Sequence, residues 1–227
     1  MYLFDPRFLL LVGPALLLAM GAQLLVQAAY AKARQVVASM SGFAAARRIL
    51  DNAGLYDVAI EEVPGHLSDH YDSSAKVLRL SSEVYHDRSM AAVGIAAHEA
   101  GHALQDARGY APLVVRNLAV PAANFGAGFG ATIAMLGYAF HFQPLLLIGI
   151  VLFSGIVFFQ LINLPVEFDA SARAKVQLVQ LGIVDRNEMS SVNYVLNAAA
   201  MTYVAATLQV VMQLLYYLWA YSSRREN

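Results

Sequence analysis

Two histidines stand four residues apart in Ala97-His98-Glu99-Ala100-Gly101-His102. On a helix, residues i and i+4 lie one above the other on a single face. Both imidazoles can then reach one zinc ion at about 2.0–2.1 Å. Glu99 follows the first histidine and can direct its carboxylate to a metal-bound water without ligating. Zinc brings the pKa of that water to about 7, and the carboxylate takes its proton as general base. The other i, i+4 pair, His66 and His70, has no glutamate in that second position. The bland reading of the motif is an Ala-rich helix whose histidines hydrogen-bond in the interior; the pattern favours the metal.

The chain contains no cysteine. Disulfides, thiolate metal sites and cysteine nucleophiles are thereby excluded, and a metal must be held by His, Asp and Glu. A catalytic zinc needs a third protein ligand and an open position. Pro165-Val166-Glu167-Phe168-Asp169-Ala170-Ser171 offers two carboxylates, the first charges after the 50 uncharged residues 117–166. A helix starting at Pro165 would hold them near the histidine helix. Glu167 is the preferred ligand and Asp169 the alternative. Taken alone, either acid would read as an interface anchor or a partner of the helix dipole.

Only 14% of the 227 residues are charged, against about a quarter in an average soluble domain. Residues 8–31, 117–166 and 189–223 contain no Asp, Glu, Lys or Arg. Residues 32–116 and 167–188 hold 26 of the 31 charges. A bilayer core needs about 20 apolar residues per helix, so the expectation is four spans. The first, from Phe8 to Tyr30, reads as an uncleaved anchor rather than a signal peptide, with Pro14 tolerated. The second and third are expected near 119–140 and 145–164, broken at Phe140-His141-Phe142-Gln143-Pro144. The fourth runs from Ala198 to Tyr221, ending in an aromatic belt of Tyr216, Tyr217, Trp219 and Tyr221.

Four spans put both termini on one face and 32–116 with 167–197 on the other. The loop face carries Lys32, Arg34, Arg47, Arg48, Arg108, Arg116, Arg173, Lys175 and Arg186 near span ends. The terminal face carries Arg7, Arg224 and Arg225. The positive-inside rule therefore places the loop face in the cytoplasm. Gly126 and Gly130 form a small-xxx-small pair best read as close packing within one bundle, and Gln209 and Gln213 turn towards other helices. A formal net charge of −1 gives no basic footprint for nucleic acid.

In the charged portion, Ser41 caps a short helix with an apolar stripe of Phe43, Ala46, Ile49, Leu50 and Ala53, stopped at Gly54. Strands are predicted at 58–63 and 76–80, flanking the turn-rich segment 64–74. The histidine helix follows over 89–105. The strand at 76–80 reads either as an edge able to pair with an extended peptide or as an internal strand. His66 and His70 read as a polar loop more than as an oxyanion donor or a second metal site. Tyr71, Tyr85, His86 and Tyr194 are candidate stabilisers of a tetrahedral intermediate.

The combination of Ser41-Gly42, Ala46-Arg47-Arg48-Ile49-Leu50-Asp51, residues 63–72, Ala97-His98-Glu99-Ala100-Gly101-His102-Ala103 and residues 164–171 resembles the YugP-type membrane zinc metallopeptidases of bacteria. The similarity covers nearly the whole chain, and the last two motifs are its most specific parts. More distantly the layout resembles the HtpX-type and CAAX-prenyl-protease-type gluzincins. In those proteases a glutamate falling on Glu167 is the third zinc ligand, and an aspartate four residues later supports a ligand histidine. This chain has Ser171 there, so Ser171, or Asp169 in a shifted geometry, is expected to supply that hydrogen bond. The site-two-protease plan ligates zinc with an Asp-Gly aspartate, and no Asp-Gly pair exists here.

The expected fold is mainly α: an integral membrane protein with about four transmembrane helices and a small α+β portion, gluzincin-like by the resemblance. Its expected division is 8–31 for the first span, 32–116 for a cytoplasmic-facing catalytic portion and 117–164 for the second and third spans. Residues 165–197 complete the zinc site, and 198–221 form the fourth span. The expected activity is a zinc metalloendopeptidase of the bacterial inner membrane, with one catalytic Zn²⁺ on His98, His102 and Glu167 and Glu99 as the catalytic base. Its expected partners are the lipid bilayer and protein or peptide substrates, membrane proteins among them; oligomerisation stays open. The alternative is a non-proteolytic scaffold or regulator with a structural zinc site.

Overall fold

A computed structural model describes residues 5–223. Arg224 and Arg225 lie outside the described residues. Among the described residues four helical stretches are long and apolar enough to cross a membrane, and the protein is a mainly α membrane protein with a small mixed sheet. The helices are α1 (Pro6–Arg34), α2 (Gly42–Asn52), α3 (Ser82–His86), α4 (Met90–Ala107), α5 (Ala111–Phe125), α6 (Ala131–Ala139), α7 (Gln143–Gln180) and α8 (Met189–Ser222). A π-helical segment, Gly126–Gly130, joins α5 to α6. The strands are β1 (Ala59–Val63), β2 (His70–Asp72) and β3 (Val77–Ser81).

The chain divides into two compact units. Among the described residues, one comprises 5–23, 114–165 and 201–223. Its core gathers Phe8, Val12, Leu146, Phe153, Tyr216 and Tyr217. Gly126 and Gly130 sit against α7: a Cβ at either would lie 2.6 Å from the Leu152 carbonyl oxygen or the Phe153 nitrogen. The small-xxx-small pair is therefore a packing seam within this chain, where absent side chains let two helix backbones touch.

The other unit comprises residues 24–113 and 166–200. Ser41 caps α2, its Oγ accepting the Ala44 N–H at 3.3 Å, and Ser89 caps α4 in the same way through Ala92 at 3.2 Å. Each cap satisfies one donor that the first helical turn leaves open. The sheet order is β1-β3-β2, with β1 parallel and β2 antiparallel to β3. Leu78 and Leu80 of β3 are fully buried, while Arg79 between them reaches Glu61 on β1 and Asp72 on β2, as the period of two requires. β3 is thus internal, and the edges of the sheet are β1 and β2.

The short strand β2 falls in the segment read as turns, and α3 was not anticipated. A three-residue strand has little local signal; it exists because β3 offers its second edge. Pro165 does not begin a helix: it lies inside α7, which runs unbroken from Gln143 to Gln180. α8 likewise starts at Met189, so residues 189–197 belong to the same helix as the last apolar stretch.

Candidate metal centre

α4 is an Ala- and Gly-rich helix that is buried on most of its circumference. Small side chains let neighbouring elements close on it from several directions, so polar residues on its surface end up inside the protein. One of its neighbours is α7. At Gly101 a Cβ would stand 2.6 Å from the carbonyl oxygen of Ala170, a contact only glycine permits. This approach brings Glu167 and Ser171, which lie a turn apart on α7, against His98 and His102 on α4.

The two histidines present one nitrogen each to the same oxygen. His98 Nε2 lies 3.2 Å and His102 Nε2 3.6 Å from Glu167 Oε2. The imidazole planes are nearly perpendicular, with ring centroids 4.8 Å apart. Tetrahedral ligands at about 2.0–2.1 Å from zinc stand about 3.3–3.4 Å from one another. Both histidine–Glu167 spacings lie close to that edge length, and the three ligand atoms all lie within 4.8 Å of one another, so the group can close on one metal ion of this kind. Among the described residues it is the one set of three or more His, Asp or Glu able to hold a metal ion.

The far side of each imidazole is also occupied. His98 Nδ1 pairs with Ser171 Oγ at 3.1 Å, and His102 Nδ1 with Gln105 Oε1 at 2.9 Å. Such outer contacts orient a ligating imidazole and leave its Nε2 for the metal. Glu167, His102, Glu99, Ser171 and Gln105 are all buried. Burial disfavours the charged form of His102, but the Glu167 carboxylate it meets and the nearby Glu99 charge outweigh it, raising its pKa above 6.5. The field at this spot thus favours positive charge, which a divalent cation would supply.

Glu99 stands apart from the three. Among the described residues its carboxylate makes no hydrogen bond, and it is not one of the convergent set. Asp169 is not in the set either. Its Oδ2 accepts from Gln105 Nε2 at 2.8 Å and from Arg173 Nε at 2.5 Å, which makes it a supporting acid rather than a member of the cluster. Of the two supports expected for a histidine, Ser171 is the one that touches His98.

The other candidates have different partners. Tyr71 donates its hydroxyl to Asp106 Oδ2 at 2.7 Å, where Lys76 Nζ also binds; burial first, then that carboxylate, raises the phenol's pKa. Tyr85 packs on Phe43 at 4.7 Å, and His86 pairs with Glu62 at 3.0 Å. Tyr194 lies under the Lys32 ammonium at 5.6 Å. His66 contacts Glu83 at 2.9 Å, and His70 the Ser68 carbonyl at 2.8 Å. None of these six hydrogen-bonds to His98, His102 or Glu167, and His66 and His70 form no second metal group among the described residues.

Two residues of the site were not singled out from the sequence. Gly101 lies within the motif and Gln105 one turn beyond it. Both carry a local signal: a residue without a side chain between the two histidines, and a polar residue three positions after His102 on its own face.

Comparison with known proteins agrees with this geometry. Residues 8–222 match the model of a family described as "Putative neutral zinc metallopeptidase". The chain is similar to a Bacillus subtilis (strain 168) protein named "Putative membrane protease YugP". The two are 45% identical over 222 residues, which cover 97% of this chain and 99% of that protein. No solved structure matches.

Proposed function

The chain belongs to this neutral zinc metallopeptidase family, and from that premise we propose that it hydrolyses peptide bonds of protein or peptide substrates at the cytoplasmic surface of the bacterial inner membrane. His98, His102 and Glu167 are the zinc ligands in this reading, and Glu99 is the general base. One observation carries it: two Nε2 atoms converge on one Glu167 oxygen, while among the described residues the carboxylate next to His98 makes no hydrogen bond. A structural zinc site has no need of that second acid outside the convergent group, which is the argument against a non-proteolytic scaffold.

Bound zinc would supply Lewis acidity, lowering the pKa of a coordinated water to about 7 and polarising the scissile carbonyl. The chain supplies the rest. Ser171 and Gln105 hold the imidazoles in register. Glu99 takes the proton of the attacking water on a carboxylate oxygen and delivers it to the departing amine nitrogen. Lys32, Arg34, Arg108, Arg116, Arg173 and Lys175 near the span ends support the cytoplasmic placement. Glu167, the first charge after residues 117–166, supports a site close to the bilayer.

The test is cleavage of casein and of membrane-protein substrates by the full chain in detergent, with and without a zinc chelator. Glu99→Gln is expected to keep zinc and lose cleavage; His98→Ala is expected to lose zinc. Full proteolysis by Glu99→Gln would refute the mechanism.

A further inference from the structure

Gln105 is completely buried on α4, and its carboxamide meets three groups. Nε2 lies 2.7 Å from the Val166 carbonyl oxygen and 2.8 Å from Asp169 Oδ2. Oε1 lies 2.9 Å from His102 Nδ1. The two ends of a carboxamide have nearly the same shape, so its orientation must follow from its partners. Here two of the partners, a backbone carbonyl and a carboxylate, can only accept. The amide nitrogen must face them, and the oxygen is thereby turned to His102. An amide oxygen cannot donate, so His102 Nδ1 carries the ring hydrogen. The neutral imidazole then has its lone pair on Nε2, the atom that faces Glu167.

We propose that Gln105 is a positioning residue that couples the two helices of the metal centre and imposes on His102 the tautomer that binds metal through Nε2. Asp169 is the fixed reference of this chain of contacts, held from the next turn by Arg173, whose guanidinium lies 5.6 Å over the Tyr110 ring. The bond to the Val166 carbonyl adds a second function. It ties the amide that orients one ligand on α4 to the backbone immediately before Glu167, the ligand on α7. Ser171 cannot do the same for His98, because a hydroxyl both donates and accepts and so leaves the tautomer open. The directional information therefore enters the site through Gln105.

The inference rests on the zinc-site reading, and the experiment separates the two. Zinc affinity of the full chain in detergent is measured by competition with a chromophoric chelator, and the site geometry by the visible absorption of the cobalt-substituted protein. Melting temperatures are taken with and without zinc. Gln105→Met keeps the side-chain length and removes all three hydrogen bonds. It is expected to weaken zinc about 10–100-fold, to alter the cobalt spectrum, and to lower the zinc-bound melting temperature more than the zinc-free one. Asp169→Asn is expected to give a smaller loss, because its amide oxygen can still accept from Gln105. That loss should vanish in a Gln105→Met background, since the two act through one contact.

Equal falls in both melting temperatures with unchanged zinc affinity would show a purely structural glutamine and overturn the proposal. Additive losses in the double variant would overturn it as well. Should Gln105→Met fail to fold, Asp169→Asn carries the test alone, and wild-type affinity in that variant would refute the coupling. Wild-type protein that bound no zinc would overturn the zinc-site reading itself and this proposal with it. Wild-type zinc binding that is indifferent to Gln105 overturns only the proposal.

Discussion

Gly101→Ala adds a single methyl group at the tightest contact of the candidate site. The new Cβ would stand 2.6 Å from the Ala170 carbonyl oxygen, 3.2 Å from its carbon and 3.3 Å from its Cα. Ordinary contact starts near 3.4 Å, so α4 and α7 must part by about 0.8 Å, and the obstructing atoms are backbone that cannot rotate aside. Overpacking of this kind costs about 1–3 kcal/mol, against about 0.5–1 kcal/mol gained by replacing a helical glycine. The net effect on folding is a loss of at most about 2.5 kcal/mol. The effect on the site is larger. An equal displacement stretches the 3.2 Å and 3.6 Å separations between the imidazoles and Glu167 to around 4 Å, beyond the edge of a zinc tetrahedron. A misplacement near 1 Å costs about 10²-fold in rate. The assay is peptide cleavage and zinc affinity of the detergent-solubilised chain, with Gly21→Ala as control because a Cβ there meets nothing within 4 Å. Gly101→Ala with wild-type zinc affinity and turnover would refute the claim that this helix contact sets the ligand spacing.

Ser171→Ala removes the one side-chain contact on His98 Nδ1 and is expected to weaken zinc by about tenfold; chelator competition reads it, and an unchanged affinity would mean that Ser171 does not hold the ring. Asp72 accepts the N–H of Ala75, its strongest influence, together with Arg79 and the Ser74 N–H, which pull its pKa from 3.8 down to about 2. A depressed folded-state value means that its contribution to stability is present above about pH 4 and is lost as pH falls towards 2. Asp72→Asn should therefore destabilise at pH 7 and make little difference at pH 2, as read by chemical denaturation. The absence of cysteine allows a direct test of orientation: Ser74→Cys, on the exposed turn before β3, should react with a membrane-impermeant maleimide only after cells are opened. Labelling in intact cells would reverse the topology.

What could be read in the sequence follows the range of the interactions involved. The His98–His102 pair is written in one turn of one helix, and Glu99 comes with it. The four apolar helices follow from uncharged runs long enough to span a bilayer, though their ends do not. Pro165 suggested a helix start because proline favours that position, yet α7 continues through it; loss of one backbone N–H within a 38-residue helix does not outweigh the bonds on either side. β2 was invisible because its three residues acquire a partner only when β3 is in place. Asp169 and Glu167 could not be separated by spacing alone, since both follow the same uncharged run. The decision lies in which face of α7 meets α4. Glu167 and Ser171 are four apart and share a face, and that face meets the histidines where Gly101 admits the backbone at Ala170. Asp169, two residues from Glu167, points along a different direction and meets Gln105 instead. The third member of the convergent group is thus chosen by a missing side chain on the opposite helix, a signal that lies inside the histidine motif but acts only through packing.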